Sequence, residues 1–188
     1  MQIKKAAAAL PLLLIAAGAT ISTTAHASDG TISFNGKVIA STCKVDEGGS
    51  SGSFTVNLPP ISTNALAAVG NVAGRMPFSL SLSGCTVGEG NPVKVGVVFE
   101  PGANVDQSTG RLTLDKGTDK AQGIQLNVLD AQQQRIQIGS STATNAPQSA
   151  DIGSDGKAKL DYFAEYYASG AVTAGDVNSR VEYSLIYQ

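Results

Sequence analysis

Tryptophan is absent from the 188-residue chain, histidine occurs once, cysteine twice, and aromatic residues make up only 5%. Each shortage removes a class of function. The one histidine, His26, lies in a segment that reads as removed on export, so the working chain has no imidazole. Ser-His-Asp and Cys-His nucleophilic sites both need that base. Zinc sites built on His and Cys lack ligands for the same reason. With so few aromatic faces, a stacking platform for sugars or bases has weak support. No glycine-rich stretch follows the Walker or Rossmann spacing. The carboxylates are scattered through turn-like segments. A hydrolase built on a carboxylate pair survives only as a distant alternative, because such pairing is spatial. The expectation is a non-enzyme with no cofactor and no metal.

Residues 1–27 carry their own logic. Lys4 and Lys5 precede the apolar run "AAAALPLLLIAAGA", and Ala25-His26-Ala27 is a small-x-small cleavage site. The run is short for a membrane span, which needs about 20 residues. Cleavage before Ser28 leaves 161 residues, one domain by length, with no later candidate for membrane insertion. The segment removes two bases and no acid, so 11 basic residues face 15 acidic ones, a formal charge of −4. An acidic chain without a basic cluster argues against nucleic acid and against anionic membrane surfaces. Cys43 and Cys85 both survive cleavage, and in an exported protein an even count reads as a disulfide. Two buried thiols are the alternative. A bridge would close a loop of roughly 40 residues, worth roughly 4 kcal/mol in the chain-entropy model.

Strand patterns dominate what remains. "SFTVNL" and "MPFSLSLSGC" alternate, the second placing Phe78, Leu80 and Leu82 on one face. "VKVGVVF" is a β-branched run that stops at Glu100-Pro101-Gly102, a turn signal. "RLTL", "GIQLNVLD", "RIQI" and "KLDYFAEYYASG" follow, each predicted as a strand. "STNALAAVG" allows one helical turn capped by Ser62 or Asn64. Residues 139–150 read as one long polar loop. In "DIGSDGKAKLDY", Asp151, Asp155 and Gly156 match positions of an EF-hand loop. However, Gly153 stands where a ligand is wanted and Tyr162 replaces the bidentate Glu. Asp155-Gly156 is therefore read as a tight turn. Short strands between turn signals predict a sandwich or barrel.

The two ends stand out. "TISFNGKVIA" contains Asn35-Gly36, ordinarily a hairpin signal. A turn there would place Phe34 opposite Lys37 and Ser33 opposite Val38. A continuous strand instead gathers Ile32, Phe34, Gly36 and Val38 on one face, and that reading is preferred. At the other end, "RVEYSLIYQ" gathers Val181, Tyr183, Leu185 and Tyr187 on one face, up to the penultimate residue. An ordinary last strand packed on the core would look the same.

Together, "TISFNGKVIASTCKV", "LSLSGCTV" and "YFAEYYASGAVTAGDVNSRVEYSLIYQ" carry a resemblance. The last places Gly175 fourteenth from the end and Tyr187 penultimate. The chain resembles the pilin subunits of chaperone–usher fimbriae, close to the type 1 major subunits, over residues 28–188. The resemblance implies an all-β, incomplete immunoglobulin-like β-sandwich lacking its last strand, completed by a donor strand from a neighbouring subunit. Residues 28–39 would be that donor extension and 40–188 the pilin domain. Ile32, Phe34 and Val38 would fill pockets of the next copy, with Gly36 where no side chain fits. A periplasmic chaperone would hold the strand bearing Val181, Tyr183, Leu185 and Tyr187, together with the Gln188 carboxylate. An outer-membrane usher would then exchange chaperone for neighbour. The implied product is a head-to-tail homopolymer, a cell-surface fimbrium used in adhesion, reached through the periplasm. The alternatives are a minor tip-adaptor pilin, since the extension before Cys43 is short, and a stand-alone secreted β-sandwich binding module.

Overall fold

The computed structural model describes residues 31–39, 43–49, 52–139 and 148–188. The expected signal segment, 1–27, lies outside them. The described chain falls into two units divided after Ile39. In the first, residues 31–39 belong to no strand, and Ile32, Phe34 and Val38 are 80%, 90% and 99% exposed.

Among its described residues the second unit has nine strands and one short helical turn. In chain order they are β1 (Lys44–Val45), the turn Thr63–Leu66, β2 (Val72–Ser83), β3 (Lys94–Phe99), β4 (Val105–Asp106), β5 (Arg111–Leu112), β6 (Gln122–Leu129), β7 (Ser149–Asp151), β8 (Ala158–Thr173) and β9 (Tyr183–Tyr187). Six form one sheet in the order β1-β2-β8-β6-β5-β4, and three form another in the order β7-β3-β9. All of these ladders are antiparallel.

Alternation decides which side chains go inside. β2 turns Leu80 and Leu82 inward, β3 turns Val95, Val97 and Phe99, and β8 turns Leu160 and Tyr162. Tyr162 joins the two sheets. Its ring meets Phe99 of β3 edge-on at 5.2 Å and stacks on Phe78 of β2 at 5.5 Å. Such pairs add about 0.5–1.5 kcal/mol beyond area burial. Cys43 and Cys85 are bonded to each other, tying the entrance of β1 to the exit of β2 beside the Lys44–Ser83 register pair. The Ser62 hydroxyl accepts from the Asn64 N–H, capping the short turn as expected.

Four expectations need correction. "SFTVNL" keeps its alternation, with Phe54, Val56 and Leu58 half-buried, yet joins no ladder among the described residues. "RIQI" makes a single bridge, Arg135 to Leu129. Its next N–H groups go to different partners, Ile136 to Val128 and Ile138 to Gly110, so no ladder propagates. "RVEYSLIYQ" becomes a strand only from Tyr183, leaving Val181 ahead of it. The loop expected over 139–150 ends early, because Ser149 and Ala150 pair with Gly96 and Val95. Residues 140–147 lie outside the described residues. Asp155-Gly156 does form the turn, with the Gly156 N–H donating to the Gly153 carbonyl at 2.9 Å.

Candidate functional site

A groove of about 1390 Å³ runs along β9. One wall is the C-terminal segment, contributing Val181, Tyr183 and Leu185. The opposite wall is the ladderless segment, contributing Phe54, Val56 and Leu58. The floor is the core itself, since Phe78, Leu80, Phe99, Leu126 and Val128 all face it. Phe54 extends the aromatic cluster from the core to the rim, with its ring 6.3 Å from that of Phe78. An apolar cleft opening directly onto the core between two extended segments has the shape of a missing strand.

The backbone of β9 fits that reading. Gln188 exchanges hydrogen bonds with Lys94 at 2.9 Å, and the Glu100 N–H donates to the Glu182 carbonyl at 2.8 Å. In an antiparallel ladder hydrogen-bonded pairs alternate with non-bonded ones. The bonded positions on β9 are therefore the even-numbered residues. Tyr183 and Leu185, registered against Phe99 and Val97, direct their N–H and C=O away from β3. Because β9 ends the three-stranded sheet, those groups point along its open edge.

Two tyrosines reach across from β9. The Tyr183 hydroxyl donates to the Gly52 carbonyl at 2.6 Å, and the Tyr187 hydroxyl accepts from the Cys43 N–H at 3.3 Å. Burial, and secondly the Glu47 carboxylate, push the Tyr183 phenol above its ordinary value. Both walls are thus joined by side-chain hydrogen bonds, leaving the length between for a guest. One oxygen of the Gln188 carboxyl accepts from the Val93 and Lys94 N–H groups at 2.8 and 2.9 Å.

Of the residues singled out in the sequence, Val181, Tyr183, Leu185 and Cys43 line the groove, and Tyr187 closes on Cys43. Ile32, Phe34, Gly36 and Val38 belong to the other unit, where a β-carbon on Gly36 would meet nothing within 4 Å. The Phe54–Leu58 wall was missed as a site. Its signal was present as alternation, but alternation does not say which strand is the neighbour. As for the EF-hand match, Asp151 pairs with Lys94, and the Asp155 carboxylate accepts from the Lys157 N–H of its own turn.

An incomplete immunoglobulin-like sandwich of this kind is the architecture of pilus subunits. A solved chaperone–usher pilus structure, described for the basis of its rod uncoiling, matches with a TM-score of 0.59 at 24% identity, covering 86% of this chain and 96% of that one. The model of the type-1 fimbrial protein, A family matches residues 58–188. The major fimbrial subunit SMF-1 of Stenotrophomonas maltophilia is 45% identical, with 87% of this chain and 95% of that protein covered. The F17 fimbrial protein of Escherichia coli is 40% identical, with 93% and 95% covered. The chain belongs to the type-1 fimbrial protein family. It is a structural subunit of a fimbria, a polymer of pilin subunits.

Proposed function

We propose that this subunit polymerises by donor-strand exchange, with residues 28–39 of one copy lying beside β9 in the groove of the next. The observation that carries the reading is the groove, floored by core residues and bordered by backbone groups of Tyr183 and Leu185 that face no strand of the three-stranded sheet. A strand laid there gains main-chain hydrogen bonds, and its alternate side chains enter pockets. Ile32, Phe34 and Val38, exposed in the isolated chain, are the side chains that enter. Burying three such groups at roughly 1.5–3 kcal/mol each gives about 5–9 kcal/mol before ordering costs. That rivals the stability of a whole small domain, about 5–15 kcal/mol. Gly36 sits in the same row without a side chain, where the guest strand passes close to the groove floor.

An open groove of this size exposes apolar surface and a strand edge, an aggregation hazard. A periplasmic chaperone lending a strand along Val181, Tyr183, Leu185 and Tyr187 covers it during transit, and an outer-membrane usher replaces the chaperone with the neighbouring copy. The head-to-tail homopolymer then stands on the cell surface. Its structural role leaves the chain without catalytic work.

The test is a subunit beginning at Ala40, oxidised and melted with and without a peptide of residues 28–39. A rise in melting temperature of ten degrees or more is expected, since a gain of 1 kcal/mol shifts a domain of this size by about 2–4 °C. A cooperative domain indifferent to the peptide would overturn donor-strand exchange and favour a self-contained module.

A further inference from the structure

Asn-Gly occurs once in the chain, at Asn35-Gly36. In an extended strand Gly36 falls in the row of Ile32, Phe34 and Val38, whereas Asn35 falls in the other row with Ser33 and Lys37. The asparagine is therefore not used by the apolar row. Both residues are exposed and belong to no strand, and a β-carbon on Gly36 would meet nothing within 4 Å. Neither is hydrogen-bonded to another described residue.

An unheld Asn-Gly pair can react with itself. The Gly36 amide nitrogen, on losing its proton, attacks Asn35 Cγ. A bond forms from that nitrogen to Cγ, and the bond from Cγ to the side-chain nitrogen breaks, releasing ammonia. The product is a five-membered succinimide. Glycine permits the attack because it brings no β-carbon against the closing ring and turns freely. Water then opens the ring at either carbonyl. Opening at Cγ gives an ordinary aspartate. Opening at the main-chain carbonyl leaves the chain running through Cβ and Cγ, an isoaspartate. Asp155-Gly156, the like pair in the second unit, is held against such a reaction. Its Gly156 is buried and donates its N–H to the Gly153 carbonyl at 2.9 Å, while the Asp155 carboxylate accepts from the Lys157 N–H at 3.3 Å.

We propose that Asn35 is a site of spontaneous deamidation, open in the free subunit and closed once its extension lies in a groove, and that the isoaspartate form accepts a strand but no longer donates one. The second half rests on donor-strand exchange. A ladder holds the backbone at Asn35 extended, with the Gly36 nitrogen turned away from the side chain. Isoaspartate adds one atom to the backbone. Because side chains alternate with a period of two, that atom puts Val38 out of row with Ile32 and Phe34. The groove of the same copy is untouched, since its lining begins at Cys43. Ordinary aspartate keeps the spacing and sets a carboxylate in the row of Lys37.

The experiment holds full subunits in mildly alkaline buffer, as free chains and as assembled fibres. Residue 35 is read by peptide mass spectrometry and by isoaspartyl methyltransferase labelling. Isoaspartate at residue 35 is expected to be roughly tenfold or more lower in fibres, where the reaction waits on local opening of the ladder. Asp155-Gly156 should stay unchanged in both. Aged wild-type subunits should then give shorter fibres, whereas N35D and aged N35Q give fibres of ordinary length. Equal isoaspartate in free chains and fibres, its absence from both, or ordinary fibres from aged subunits overturns the proposal. F34D tests strand exchange separately. Fibres from F34D would overturn exchange, and the effect on joining with it, whatever the state of Asn35.

Discussion

Tyr162 stands where the two sheets meet, its ring packed on Phe78 of β2 and Phe99 of β3. Alternation along "KLDYFAEYY" assigns its inward direction, and it is 1% exposed between Phe78 and Phe99. Its hydroxyl, however, has no hydrogen-bond partner among the described residues, a fact fixed by which residues arrive from elsewhere in the chain. An unsatisfied buried hydroxyl costs about 1–3 kcal/mol. Tyr162→Phe is therefore expected to raise stability by about 1 kcal/mol, read as a higher urea midpoint at unchanged slope. A loss of stability would mean that the hydroxyl has a partner in solution. Gly175 is the reverse case. Its place fourteenth from the end was noticed through resemblance alone, and packing supplies the reason: a β-carbon there would lie 2.4 Å from the Ala121 nitrogen. Backbone approach of that kind leaves no periodic trace in a sequence.

Elements were legible where they pair with their own chain. β2, β3, β6 and β8 lie on the patterns that predict them, because apolar alternation reports burial and burial follows from these ladders. "SFTVNL" and "TISFNGKVIA" have equally clean alternation and belong to no ladder among the described residues. Pattern specifies a strand-ready segment, whereas the ladder depends on a neighbour that a single copy need not supply. "RIQI" fails for a local reason, since its N–H groups are shared between Val128 and Gly110. The disulfide acts at this scale too. β1 is only two residues long and forms one wall of the groove with the segment after it, so the link from Cys43 to Cys85 anchors that wall. The bridged residues are 42 apart, and replacing both with alanine is expected to cost about 4 kcal/mol. Chemical denaturation of the peptide-filled domain checks this. Peptide affinity should fall more than a global stability loss explains, because one wall is then untethered.

For the molecule as a whole, titration sets the range of pH in which the domain holds. Burial raises the phenols of Tyr162, Tyr166 and Tyr183 above their ordinary value of 10.0, aided by Asp130 at Tyr162 and by Glu47 at Tyr183. A raised value means that the fold prefers the protonated phenol. That contribution is whole below about pH 10 and is lost as pH climbs through the raised values. Asp106, Asp115 and Asp161 lie below the ordinary 3.8, held mainly by hydrogen bonds from Ser108, Arg180 and Lys159 respectively. Their contribution is present above that value and lost as pH falls through the lowered ones, and solvent screening keeps it small. Melting temperature is thus expected to be flat from about pH 5 to 9, to fall steeply on the alkaline side and gently on the acid side. A steep acid limb would contradict this assignment. The groove beside β9 has a further consequence for whatever is built from this subunit. If residues 28–39 of one copy fill the cleft of the next, as proposed above, every assembled chain leaves a cleft unfilled at one extremity and an extension unused at the other. A fibre joined in that way would have polarity: its two tips would be chemically different, growth and capping would be separate events at each, and a molecule that caps one tip would have no purchase on the other.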